Sequence, residues 1–534
     1  MRGIQPEPKQ KESQDQGLIT KFVDVVKPIS IQKSRSIDIQ LLKMICKEYH
    51  PFSLVEDPEF KKFVGMLNPS YKLPSRKTLS VGLLDAEYNI LLTTVRSNLN
   101  KALAICITCD GWTSKTNTSF YALTAHFFDN NSTLKSHLLE CSEFPERHTA
   151  ENIANWVTKV LNTFEIVDKI TAIVTDNASN MKAATVLLKI RHISCFAHSI
   201  NLIVQSAIAK SIQPVVNKSK AIVTFFKQSA HGLAKLTSMQ ASLNKDPLKL
   251  KQDVPTRWNS TYDMLDRLLK TREPLVSTLA VLNSDLGLEN ADWVIIEHAV
   301  KILKIFYDVT EEISAEKNIT LSKTAVLVRI MLKSVRNHTN PKFCLPAPIS
   351  KMIDELINGL TKRFSNRESS ELISHAIFLD PRFKKQGFSN ESNFQAAYQS
   401  LVHKLRSMMS AEKSSEEPDT TRNVSDESSI WKEFDENVSK LLVRHEPSAA
   451  SIVELDKFLA EPLLGRTCDP MEWWDQRKLV YPTLYQLVLR RLCIPATSVP
   501  CERVFSKSGQ ICTEKRSRLT AKNIAKIMFI NYNG

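Results

Sequence analysis

Two short apolar runs in this chain each close on a lone aspartate. Leu103-Ala104-Ile105-Cys106-Ile107-Thr108-Cys109 leads to Asp110, and Ile170-Thr171-Ala172-Ile173-Val174-Thr175 leads to Asp176. Apolar, β-branched runs of this length predict buried strands. A carboxylate at the end of a buried strand points out of a rigid sheet into a cleft, and two on neighbouring strands can share a divalent metal. Taken singly, each aspartate also suits a turn or a helix cap, Asp110 before Gly111 and Asp176 before Asn177. Taken together they point to metal-assisted phosphoryl transfer on nucleic acid, in which carboxylates hold hard cations that activate the attacking oxygen and stabilise the leaving one.

The 534 residues suffice for several domains. Lys and Arg number 71 against 57 Asp and Glu, a net charge of +14 that favours a polyanionic partner. No apolar window of membrane-spanning length occurs, so no membrane span is expected, and the polar N-terminus lacks the apolar core of a secretory signal. The 10 cysteines are scattered through apolar segments, which predicts a reducing compartment, cytosol or nucleus. Cys106 and Cys109 have C-x-x-C spacing but lack a second ligand pair, so structural zinc is not expected.

Along the chain, residues 1–35 are polar and read as disordered. Residues 36–100 carry helical periodicity and read as a small helical domain. Residues 101–212 alternate strands and helices. Strands are predicted at the run ending in Asp110, at 119–128, 133–144, 170–175 and 193–196, with helices at 151–164, 181–189 and 198–210. The order β-β-β-α-β-α-β-α is that of an α/β (α+β) RNase H-like core. Residues 213–410 read as an all-α insertion, 411–429 as a disordered linker rich in Ser and Glu, and 430–534 as further helices. No carboxylate near 198–210 supplies a third acid, so it must come from beyond the helical block.

Six segments, in order, resemble motifs of hAT-superfamily transposases. Thr108–Ser114 and Val174–Met181 resemble the first two catalytic motifs, and Cys195–Leu202 the C-x-x-H motif. Thr256–Ser260 is similar to the Arg-Trp motif, Phe378–Lys384 is typical of the family, and Ile494–Ser506 resembles the C-terminal dimerisation region. The resemblance runs from about residue 40 to the end and points in particular to transposase-derived zinc finger BED domain-containing proteins. The paired-Cys, paired-His finger of those proteins has no counterpart, since the first cysteine is Cys46.

The resemblance implies a third acid at Glu502, and hence a DDE set of Asp110, Asp176 and Glu502 holding Mg2+ or Mn2+. Local signals agree with a helix there: Ser498 suits a cap, Pro500 a first turn and Gly509 a stop. It further implies a nuclear, dimerising protein acting on double-stranded DNA, with no small-molecule cofactor. The alternative is a domesticated transcription regulator that no longer cuts. Arg257 is a candidate either for a phosphate contact or for pairing with an acid, and Arg503 is a candidate for DNA contact. Trp258 suits either base stacking or a core position, and His198 either DNA contact or orientation of a catalytic acid. Trp473 and Trp474, with Leu479, Tyr481 and Leu484, are candidates for packing either in a dimer or in the core, and Ile524, Ile527 and Met528 of the last helix form an apolar stripe that also suits a homodimer or higher oligomer.

Overall fold

A computed structural model describes residues 28–113, 117–282, 284–315, 318–339, 345–415, 447–511 and 519–534. The described residues divide into two compact units, one ending at Glu87 and one running from Tyr88 to Gly534. In chain order the early helices are α1 (Ile31–Lys47), α2 (Pro58–Leu67) and α3 (Leu84–Lys101). Helix α1 opens at Ile31 because Ser30 accepts the Lys33 amide and caps it, so residues 31–35 are helical rather than disordered. Residues 1–27 lie outside the described residues.

A five-stranded sheet follows, formed by β1 (Ile105–Thr113), β2 (Ser119–Phe128), β3 (Leu134–Glu143), β4 (Ile170–Thr175) and β5 (His192–Ser194). The spatial order is β3-β2-β1-β4-β5. The first three strands pair antiparallel, while β4 and β5 add in parallel. Their crossovers carry helices α4 (Ala150–Phe164) and α5 (Ser179–Leu187), which satisfies the requirement that parallel strands be joined by long connections.

Strand β1 does not end at Asp110. It continues to Thr113 because β2 keeps pairing with it, Gly111 opposite Tyr121 and Thr113 opposite Ser119. Gly111 lets the strands come close there: a Cβ would lie 3.0 Å from the Tyr121 ring, which would have to give by a few tenths of an ångström. Parallel pairing with β4 stops earlier, at Thr108 opposite Val174. Asp110 therefore keeps a neighbour on one side only.

The two faces of the sheet have different covers. Ile105, Ile107 and Cys109 of β1 pack with Ile173 of β4 and with Val157 and Leu161 of α4. The alternate residues Cys106, Ala172 and Val174 share a core with helices α14 (Glu371–Leu379), α15 (Glu391–Ser415), α16 (Pro447–Ala460), α17 (Pro470–Gln476) and α18 (Pro482–Leu492). Helices α6 (Phe196–Ser211), α7 (Gln213–Gln228), α8 (Ala230–Ser242), α9 (Trp258–Lys270), α10 (Arg272–Val281), α11 (Asn290–Ile313), α12 (Thr324–Asn337) and α13 (Ala347–Phe364) build a separate helical core. The helical stretch expected as one block over 213–410 is thus split. Its last two helices pack with the C-terminal ones, because the apolar faces of α14 and α15 meet Trp474, Leu484 and Leu487. Residues 411–415 end α15, and the remainder of 411–429 lies outside the described residues.

The Phe378–Lys384 segment fastens this junction. Asp380 is fully buried and takes a fork of bonds from Arg382, 2.9 Å to Nε and 2.7 Å to Nη2, plus one from Ser322 Oγ at 2.6 Å. The Trp474 indole donates to the Leu379 carbonyl at 2.9 Å. The chain closes with α19 (Val499–Ile511) and α20 (Ala521–Asn533), the latter lying along β3, where the Asn533 amide pairs with the backbone of Leu138. No helix among the described residues is long and apolar enough to cross a membrane.

Candidate functional site

The pleat brings the two aspartates together. Cys106 pairs with Ala172 and Thr108 with Val174. Two places further on stand Asp110, still within β1, and Asp176, one residue past the end of β4. Both also make the local bonds that a turn former makes. Asp110 Oδ1 accepts the Gly111 amide at 2.8 Å, and Asp176 Oδ1 accepts the Ala178 amide at 3.1 Å.

Glu502 arrives beside these acids from the far end of the sequence. The preceding residue, Cys501, is completely buried, and its thiol lies 3.1 Å from Thr108 Oγ1, with the Thr108 and Ala122 carbonyls at 3.4 and 3.6 Å. Three residues past Glu502, Phe505 stacks on Trp112 with ring centroids 6.1 Å apart. Helix α19 is therefore pinned across β1 and β2 on both sides of Glu502, at its N-terminal turn.

The charges register this convergence. Burial pushes the half-buried Asp110 carboxyl well above the ordinary carboxylate range, and the neighbouring Glu502 and Asp176 push it further. Hydrogen bonds from the Gly111 amide and the Ser498 hydroxyl act in the opposite direction. Burial also raises Glu502, against the lowering effect of Arg257 and His198. Asp110 thus feels acids from two other segments, and two basic side chains lie near Glu502. As the side chains stand, no three His, Cys, Asp or Glu among the described residues form a ready metal-binding group. Carboxylates crowded in a half-buried cleft are nonetheless the donor set a hard cation needs. Magnesium keeps several waters and is commonly held by one or two carboxylates, the side-chain type that Asp110, Asp176 and Glu502 supply.

Ser498 joins the motifs. It is buried, its hydroxyl reaches Asp110, and its amide donates to Cys195 Sγ at 3.3 Å. Cys195 in turn caps α6 by accepting the His198 amide, and the Phe196 amide donates to the Ala496 carbonyl at 2.9 Å. The C-x-x-H spacing therefore serves a helix cap here, with the thiol as acceptor. From the sequence Ser498 reads only as a cap for the following helix, and its bond to Asp110 has no local signal.

Several candidates sit elsewhere than expected. Trp258 is only 2% exposed and belongs to the helical core, so of its two readings the core position is the one it occupies. Arg503 turns its Nη2 to the Ser314 carbonyl at 2.8 Å, bracing α19 against the segment after α11. Trp473, Trp474, Tyr481 and Leu484 are interior residues of the chain's own core, and Ile524, Ile527 and Met528 are buried as well. None of the seven offers a surface. Within the same region Leu479 is 92% exposed, on the turn between α17 and α18, and Val480 beside it is exposed too. Arg257 is exposed at the start of α9.

Residues 108–200 match the ZBED1 RNase-like domain, residues 193–302 the ZBED1 RNase-like helical domain, and residues 454–533 the hAT family C-terminal dimerisation region. These three matches are consistent with a hAT-family transposase-derived protein. Among its relatives, zinc finger BED domain-containing protein 4 of Homo sapiens is 25% identical, over 94% of this chain and 44% of that protein. The "Putative AC transposase" of Zea mays is 26% identical, over 97% of this chain and 67% of its own length. Zinc finger BED domain-containing protein RICESLEEPER 3 of Oryza sativa subsp. japonica is 24% identical, over 91% and 68%. The chain thus spans between under half and about two thirds of the length of these relatives.

Proposed function

We propose that this chain is a nuclear, dimerising DNA-binding protein with a DDE-type site for metal-dependent DNA cleavage and strand transfer. In this reading the sheet is an RNase H-like core interrupted by an all-α insertion, and α19 completes it. The observation that carries the reading is the effect of Glu502 and Asp176 on Asp110: acids far apart in sequence meet at one sheet. A dimerisation region within 454–533 supports self-association.

Asp110, Asp176 and Glu502 would hold Mg2+ or Mn2+, which activates the attacking oxygen and stabilises the leaving one. The chain's own residues do the rest. Arg257 and His198 lie close enough to influence Glu502, and the Arg257 guanidinium supplies positive charge for a phosphate beside the acids. Cys195 and Ser498 hold the helix start and Asp110 in one hydrogen-bonded unit. The net charge of +14 draws the polyanion to the surface.

The test is incubation of hairpin or terminal-repeat DNA with Mn2+, comparing the protein with Asp110→Ala. Cleavage by the first alone is expected, and equal cleavage by both sinks the reading. A second reading, a DNA-binding regulator that no longer cuts, draws on two observations. The acids do not stand as a preformed ligand group, and one relative bears the name of a transcriptional regulator. Focused chromatin occupancy together with no cleavage favours it.

A further inference from the structure

Helix α6 carries His198, Asn201 and Gln205 at spacings of three and four, which puts them on one side of the helix. His198 lies near Glu502. The other two side chains reach the segment that precedes α9, and they reach its backbone. Asn201 Oδ1 accepts the Trp258 amide at 3.0 Å, and its Nδ2 donates to the Thr256 carbonyl at 3.4 Å. Gln205 Nε2 donates to the Pro255 carbonyl at 2.9 Å. Arg257 stands between the two backbone groups that Asn201 holds.

The other side of this segment is fixed as firmly. Asp253 is buried at its side chain and accepts from Lys220 of α7 at 2.6 Å, from Thr261 at 2.7 Å and from Ser260 at 2.9 Å. Ser260 Oγ accepts the Val254 amide at 2.7 Å, and the Arg257 amide donates to the Val254 carbonyl. Trp258 anchors the end of the segment in the core. The only side chain in 254–258 both charged and free to face solvent is that of Arg257.

We propose that Asn201, backed by Gln205, is a positioning residue: from α6 it clamps the Thr256–Trp258 backbone and so sets Arg257 beside Glu502 to receive a DNA phosphate. This rests on the DNA-binding reading above. The clamp ties the C-x-x-H segment to the Arg-Trp segment through backbone bonds, so the two move as one piece with α6. A side chain of lost length or lost amide leaves Trp258 buried but lets Arg257 swing.

Two measurements test it, with Asn201→Ala and the milder Gln205→Ala. The first is hydrogen exchange of the Val254, Thr256, Arg257 and Trp258 amides. Loss of one hydrogen bond is worth about a tenfold change, so the Trp258 amide should exchange roughly ten times faster in N201A, and Asn201→Asp, which keeps the acceptor, should restore most protection. Unchanged exchange in N201A overturns the clamp. The second is affinity for a hairpin DNA duplex across a salt series. Arg257→Ala and N201A should each weaken binding and each lower the salt slope by about one. The double variant should bind no worse than R257A alone. Additive losses overturn the positioning role, since a merely structural residue would not be silenced by removing Arg257. A wild-type protein that binds no DNA refutes the proposed function, and the exchange result still decides the clamp.

Discussion

Replacing Asp110 by Asn should stabilise the protein while ending its metal response. Asp110 is half-buried, repelled by Glu502 and Asp176, and held only by the Gly111 amide and the Ser498 hydroxyl. Removing one charge from such a cluster is worth about 1 kcal/mol, within the range seen when a strained functional site is relieved. Unfolding entropy near 2.1 cal/mol/K per residue gives roughly 0.9 kcal/mol per kelvin for a cooperative unit the size of Tyr88–Gly534. The melting temperature of D110N should therefore rise by about 1 °C without metal. Mn2+ at a hundred times its dissociation constant stabilises the native protein by about 2.7 kcal/mol, or about 3 °C. D110N should show almost none of that increment, so the order of melting temperatures reverses on adding Mn2+. Differential scanning calorimetry with and without Mn2+ reads both effects. A D110N protein that melts lower without metal, or an equal metal shift in both proteins, refutes the account of the site as a cluster of mutually repelling metal-binding acids.

Other expectations follow from the same packing. Trp258→Ala should cost about 3–5 kcal/mol in urea unfolding, as a cavity in the helical core does, whereas Trp258→Phe should keep DNA affinity within about twofold; a large affinity loss in the Phe variant would restore a base-stacking role. His375 is fully buried beside Arg491, and burial first, then that guanidinium, lowers its pKa to about 3. The unfolded chain then binds the proton that the folded one refuses, so stability falls as pH drops below about 6.5, by roughly 3 kcal/mol at pH 4. Denaturant titrations of wild type and His375→Gln at pH 7 and 4 check this, the variant losing less. Leu479→Ser with Val480→Ser should weaken self-association in light scattering at unchanged melting temperature, because both side chains are exposed on the dimerisation region. Trp474→Ala should instead unfold the C-terminal helices, since its ring is fully enclosed and its indole holds the Leu379 carbonyl.

Much of the local structure was legible in the sequence because it is set by neighbours in the chain. Strand β4 falls over 170–175 as its β-branched run predicts, and α4 over 150–164 as its apolar period predicts. The end of β1 was not legible. An aspartate followed by glycine reads as a strand end, yet the pairing of Gly111–Thr113 with β2 extends the strand, and pairing is a property of two segments. Trp258 had the same difficulty: a tryptophan after an arginine suits a surface or a core, and only the packing of α9 against the other helices decides which.

The sequence by itself determined which residues are apolar and at what period, hence the elements, their order and the pair of aspartates that close two apolar runs. Tertiary structure alone decided what covers each face. It laid α19 across β1 and β2 through a buried cysteine and so delivered Glu502 to Asp110. It gave α14 and α15 to the C-terminal helices, and of the dimer and core readings of Trp473, Trp474, Tyr481 and Leu484 it chose the core. Periodicity states that a face must be buried, while the partner that buries it is chosen by complementarity between segments hundreds of residues apart.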